Sequence, residues 1–86
     1  MKNKVLALMG FAKKSGNLVS GTGTCSFNMA KGKVRLLILA EDISDNGENK
    51  IMKDVRKYGV DHIKYGMGEE LSHATGADQR FVYDWA

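Results

Sequence analysis

At 86 residues the chain is too short to build two hydrophobic cores, so one domain over residues 1–86 is expected. Its composition, 43% apolar and 27% charged with a single cysteine, excludes a disordered chain and an internal disulfide, and its longest apolar run, Leu36 to Ala40, falls far short of the ~20 residues of a membrane span. The net charge of +3 conceals an asymmetry: residues 1–40 hold seven Lys and Arg and no acid, while residues 41–86 hold six against ten acids.

Along the chain, Asn3 reads as a helix N-cap, with Val5, Leu8, Met9 and Ala12 spaced on one helix face. Lys13 and Lys14 suit the negative helix end, and Gly16 suits a left-handed cap. Leu18 to Ser20 is a short extended piece. Gly21 to Gly32 reads as a second helix bounded by glycines, with Thr22, Cys25 and Met29 on one face. Gly23, Thr24, Ser26 and Asn28 are weak helix formers, so packing rather than propensity must hold it. Val34 to Ala40 reads as a strand covered on both faces. Ser44 or Asp45 caps a third helix with an apolar stripe of Ile51, Met52, Val55 and Tyr58, stopped by Gly59. Val60 to Tyr65 reads as a strand with one wetter face. Gly68 opens and Gly76 closes a short fourth helix, and Phe81 to Trp85 is a last strand. Four alternations of helix and strand with short connections predict an α/β fold, a mixed and largely parallel-connected sheet between helices.

The residues assemble no active site. Cys25 reads as a small buried hydrophobe, and His62 and His73 have no partner at metal spacing. Glu69 and Glu70 are helix neighbours pointing about 100° apart, so they do not converge as an acid–base pair. No catalytic residue, metal or cofactor is therefore expected. Gly21-Thr22-Gly23-Thr24 places two glycines at the positive end of a helix, which is an anion site. It lacks the Lys-Ser/Thr ending of a phosphate loop and the third glycine of the dinucleotide fingerprint, and a plain tight turn is the alternative reading. The acid-free first half points to a polyanionic partner, against the alternative of a helix whose lysines only solubilise it. The basic start has no small-residue cleavage site before Lys13 and Lys14, so no signal peptide is read and the expected compartment is the cytoplasm.

Several stretches together resemble a known family. Gly21 to Gly32 has the length of the signature helix of the kink-turn RNA-binding ribosomal proteins, the seven-A-e and thirty-e group of the large subunit. Leu36-Leu37-Ile38-Leu39-Ala40-Glu41-Asp42-Ile43 is similar to the central strand and acidic turn of that family, and Tyr65 to Gly76 to its last loop and helix. The opening from Leu8 to Gly21 is most similar to small bacterial, YlxQ-like members. The resemblance implies a three-layer α/β/α sandwich with a four-stranded mixed sheet, binding at kinked internal loops of RNA, and no enzymatic activity. By the same resemblance, Gly21 is the glycine that admits RNA to the backbone, with Thr22 beside it. Gly23, Thr24 and Phe27 stand where many members carry base-reading Asn or Lys, Glu or Gln, and Lys. Lys31 matches a basic position near the helix end, Glu41, Asp42 and Ile43 the turn flanking the RNA, and Met67 and Gly68 the loop against an extruded nucleotide. Lys14 joins this set as a phosphate contact from the basic half.

The departures at Gly23, Thr24 and Phe27 imply relaxed specificity, with positioning contacts outlasting base readout. Phe27 is free to stack on an unpaired base or to meet a protein. The leading expectation is a monomeric, non-enzymatic RNA-binding protein associated with ribosomal or other structured RNA and with ribosome-associated proteins as further partners. Two alternatives stand beside it: a protein-interaction module on the same scaffold, contacting through Phe27 and Met67, and a small nucleotide-utilising enzyme resting on the glycine-rich turn alone.

Overall fold

The computed structural model describes residues 2–77 and 80–86, the side chains of Lys2 and Asn3 excepted. The elements run α1 (Lys2–Lys14), β1 (Leu18–Ser20), α2 (Thr22–Ala30), β2 (Leu36–Leu39), α3 (Asp45–Tyr58), β3 (Asp61–Lys64), α4 (Gly68–Thr75) and β4 (Val82–Trp85). The strands form one sheet in the order β1-β4-β2-β3. Only β2 and β3 are parallel, with Leu36 opposite Asp61. The last strand, β4, inserts between β1 and β2 and runs antiparallel to both. The sheet is mixed as expected, but mostly antiparallel rather than largely parallel, because the chain returns to its centre at the end.

Alternation along the two central strands splits the core in two. Ile38, Ala40 and Tyr83 face one side with Leu18, where Met9 and Ala12 of α1 and Leu71 of α4 cover them. Leu37, Leu39 and Val82 face the other, beneath Cys25 and Met29 of α2 and Ile51 and Val55 of α3. The result is a three-layer α/β/α sandwich. On one side α1 and α4 approach closely at Gly10, where a Cβ would stand 2.9 Å from the Ala74 carbonyl oxygen. On the other, Ser26 of α2 donates to the Asp54 carboxylate of α3.

Several local expectations are corrected. Asn3 lies inside the first turn of α1 and is not its cap. Leu8 is 49% exposed, since α1 turns Val5, Leu6, Met9 and Ala12 inward instead. Thr22 is exposed while Cys25 and Met29 are buried, so it leaves the apolar face. β3 is exposed along its whole length, because it is an edge strand at the rim of both helical layers. The described basic side chains of the first half also do not form one surface, because α1 and α2 cover opposite faces of the sheet.

At the start of α3, the Ser44 hydroxyl accepts a hydrogen bond from the Gly47 N–H at 3.1 Å, and its far end closes on Gly59 at φ 66°. Ser44→Ala is expected to cost about 1 kcal/mol, measured by chemical denaturation, by leaving that N–H to solvent alone.

Candidate nucleic-acid interface

The site forms at one end of the sheet, where β1 passes into α2. Gly21 adopts φ 100° and ψ 139°, a conformation open to glycine and strained for any side chain. Its N–H donates to the Val82 carbonyl at 3.0 Å, which ties the turn to the central strand β4. A Cβ there would meet Arg80 Nη1 at 3.2 Å, so the guanidinium lies over the turn. Thr22, Gly23 and Thr24 follow as an exposed first helical turn carrying no acid, with free N–H groups at the positive helix end.

A cleft of about 290 Å³ opens beside this turn, lined by Gly21, Thr22, Asp42, Ile43, Ser44 and Arg80 among others. Its far wall is the acidic turn after β2, which is bonded to the loop before α4. The Glu41 carboxylate accepts from the Gly66 N–H at 2.9 Å, and the Asp42 carboxylate from the Gly68 N–H at 2.8 Å. Both acids therefore hold two loops together through one carboxylate oxygen each, while remaining exposed, and Asp42 lines the cleft. Gly68 is buried where a Cβ would stand 2.3 Å from the Phe81 ring, so its role is to admit that ring. Met67, 44% exposed, remains on the outside, and its N–H donates to Glu70 Oε1 at 3.1 Å.

On the outer face of α2, Gly23, Thr24, Phe27 and Lys31 fall on one stripe by their i, i+3/i+4 and i+8 spacing. Phe27 is 60% exposed, and the Lys31 ammonium sits 4.4 Å from its ring centroid in a cation–π contact. Lys31 lies about 12 Å along the helix from Gly23.

Eleven of the twelve residues expected at the site thus share this end of the sheet or the adjoining stripe of α2. Lys14 does not. It ends α1 in the other helical layer, next to the Asn17 carbonyl that pairs with Ala86, at the opposite end of β1 from Gly21. Arg80 is the residue that sequence reasoning missed. Its backbone N–H donates to Ser72 Oγ at 2.9 Å and its carbonyl accepts from the same hydroxyl, which fixes it to α4. No group of three or more His, Cys, Asp or Glu among the described residues is arranged to hold a metal. Nor is any described helix long and apolar enough to cross a membrane.

The model of the ribosomal protein L7Ae/L30e/S12e/Gadd45 family matches residues 3–83. A solved structure of a Bacillus halodurans protein of unknown function superimposes with a TM-score of 0.86 at 25% identity, covering 93% of this chain and 81% of that one. The Giardia lamblia 15.5 kD RNA binding protein superimposes with a TM-score of 0.78 at 20% identity, over 95% of this chain and 70% of that one. At that identity the second likeness shows the fold alone. Comparison with curated proteins finds no sequence match.

Proposed function

This chain belongs to the ribosomal protein L7Ae/L30e/S12e/Gadd45 family, and on that footing we propose that it is a non-enzymatic protein that binds structured RNA at the N-terminal end of α2. The observation that carries this reading is a cleft lined by Gly21 and Thr22 at the start of α2, the Asp42–Ile43 turn and Arg80, with the Gly68 N–H bonded to the Asp42 carboxylate behind it. Backbone N–H groups, threonine hydroxyls and one arginine are phosphate- and sugar-binding groups, which position a nucleic acid without reading its sequence. Gly23 and Thr24 supply no long side chain to reach a base edge, so kink-turn recognition is relaxed. In this reading the protein works as a monomer in the cytoplasm of a bacterium, on ribosomal or similar structured RNA beside ribosome-associated proteins.

A gel-shift comparison of a kink-turn RNA with the same hairpin lacking its G·A pairs tests this directly. Both are expected to bind within about tenfold of each other. A larger preference for the kink-turn would show base readout by other contacts, and no binding to either would sink the reading. Salt dependence provides a second test. Arg80→Ala and Lys31→Ala are each expected to lower the slope of log affinity against log salt by roughly one contact, and Lys14→Ala to leave it unchanged.

One observation favours a second reading. Phe27 and Met67 are large, apolar and exposed, as a protein contact would need. Retention on heparin at moderate salt separates the two readings, because only the RNA reading requires a polyanion site.

A further inference from the structure

α2 and α3 lie side by side on one face of the sheet. They run in the same direction, because α2 joins β1 to β2 and α3 joins β2 to β3, and these three strands all point the same way. The Ser26 hydroxyl, donating to the Asp54 carboxylate, sets the two helices level. Phe27 follows Ser26 and points outward, 60% exposed, with the Lys31 ammonium 4.4 Å from its ring centroid. Across the seam, Tyr58 stands one turn beyond Asp54 and is also exposed, with the Lys57 ammonium 5.3 Å from its own ring centroid. The layer thus presents two rings, one on each helix and within about one turn of the same level, each with a lysine over it. Lys50 and Lys53, both exposed, precede Asp54 on α3 by one turn and by one residue and extend the same surface. α2 contains no acid. In α3, Asp45 and Glu48 lie in the first turn, Glu48 paired with Lys64, and Asp54 accepts from Ser26.

A phenylalanine left this exposed contributes little to folding, since the apolar area it removes from water is small. Toward a partner, each ring offers a flat π face and each lysine a cation beside it. Those are the two groups that single-stranded nucleic acid requires, one for an unpaired base and one for the neighbouring phosphate. A duplex would use the lysines and leave the rings idle, because its bases already stack on one another. An acidic protein segment would use the charge and the apolar area but nothing specific to a flat ring. The fold also assembles what charge sums along the chain conceal: Lys31 comes from the acid-free half and the lysines of α3 from the acid-rich half. We propose that the outer face of the α2–α3 layer binds single-stranded RNA, with unpaired bases stacked on Phe27 and Tyr58 and phosphates held by Lys31, Lys50, Lys53 and Lys57. This extends the RNA-binding reading from the end of α2 to a strand without paired structure, and separate probes keep the two apart.

The test is fluorescence anisotropy of a labelled uridine dodecamer on the full chain, with the kink-turn hairpin as a second probe. The native chain is expected to bind the dodecamer at low salt with a Kd below about 100 μM, within the range of non-specific nucleic-acid affinity. Phe27→Leu is expected to weaken that binding at least ~5-fold and Phe27→Trp to keep it, since leucine preserves apolar area and loses the stacking face. Changing Lys53→Ala and Lys57→Ala together is expected to reduce the slope of log affinity against log salt by roughly 1.4, at about 0.7 per phosphate contact on a single strand. All three positions are exposed, and circular dichroism melts beside the binding assay verify that each variant is folded. A glutamate dodecamer in tenfold excess is expected not to displace the RNA. The proposal is overturned if the chain binds the hairpin but not the dodecamer, if Phe27→Leu binds like the native chain, or if the salt slope is unchanged. Displacement by the glutamate dodecamer would also overturn it and assign the face to an acidic protein segment. Binding of the dodecamer without the hairpin would sustain this face and remove the α2 terminus, and binding of neither would overturn both.

Discussion

Gly23→Glu is expected to abolish RNA binding, a loss of at least ~100-fold, while the protein becomes slightly more stable. Gly23 lies in the exposed first turn of α2, with no atom within 4 Å of where its Cβ would stand. Glutamate there replaces the least helix-prone residue short of proline, a gain of roughly 0.5–1 kcal/mol. A negative charge in the first turn also interacts favourably with the helix end. Toward RNA the same charge stands two positions after Gly21 at the proposed phosphate-binding end of α2, where it repels a polyanion. The two effects have opposite signs, so loss of binding in a protein with a higher melting temperature cannot be ascribed to unfolding. Gly21→Glu is the contrasting case. It also removes binding, but at φ 100° and against Arg80 the side chain is strained, and a cost of roughly 1–3 kcal/mol is expected. Full RNA affinity in a folded Gly23→Glu protein would remove the α2 terminus from the interface.

The contrast between these two glycines shows what the sequence makes legible. With no proline in the chain, glycine marks its breaks, and Gly21, Gly59 and Gly76 fall directly at the bounds of the observed helices. Of the stripe Ile51, Met52, Val55 and Tyr58, the first three mark the inward face of α3, while Tyr58 at the helix end is exposed. Strand order was not legible, because the insertion of β4 between β1 and β2 depends on pairings between residues more than 40 positions apart. Arg80 escaped for the same reason. It belongs by sequence to the acid-rich half, and only the return of β4 beside β1 lays it over Gly21. Lys14 was misplaced in the opposite direction. Summing charge along the chain cannot register that α1 and α2 lie on opposite sides of a sheet. Glu41 and Asp42 are exposed, and the sequence does not show that their carboxylates also accept from the N–H groups of Gly66 and Gly68 and so join two loops.

Asp84→Asn is expected to stabilise the protein at neutral pH and to flatten its pH dependence. Burial pushes the Asp84 carboxyl up from 3.8 to about 6, opposed by a side-chain hydrogen bond with the neighbouring Cys25 thiol. The folded protein therefore holds this proton more tightly than the unfolded chain does. The contribution to stability is complete below about pH 4 and is lost as pH rises through about 6. By that linkage the ionised group costs the native state roughly 3 kcal/mol at pH 7 and above, a large share of the stability available to a domain of this size. The groups facing Asp84 do not obscure the signal. Burial, and then the Asp84 charge, push the Cys25 thiol upward, so it stays protonated throughout the range. Val19, Leu37, Asn17 and Asn28 do not titrate. The measurement is a pair of denaturant titrations at pH 5 and pH 7.5 for the native chain and for Asp84→Asn. Other groups contribute equally to both proteins, so the difference between the two pH dependences isolates Asp84. The native chain should lose stability between the two pH values relative to the variant, and the variant should be the more stable at pH 7.5. Parallel pH dependences in the two proteins would mean that a donor, or water, reaches the carboxylate in solution.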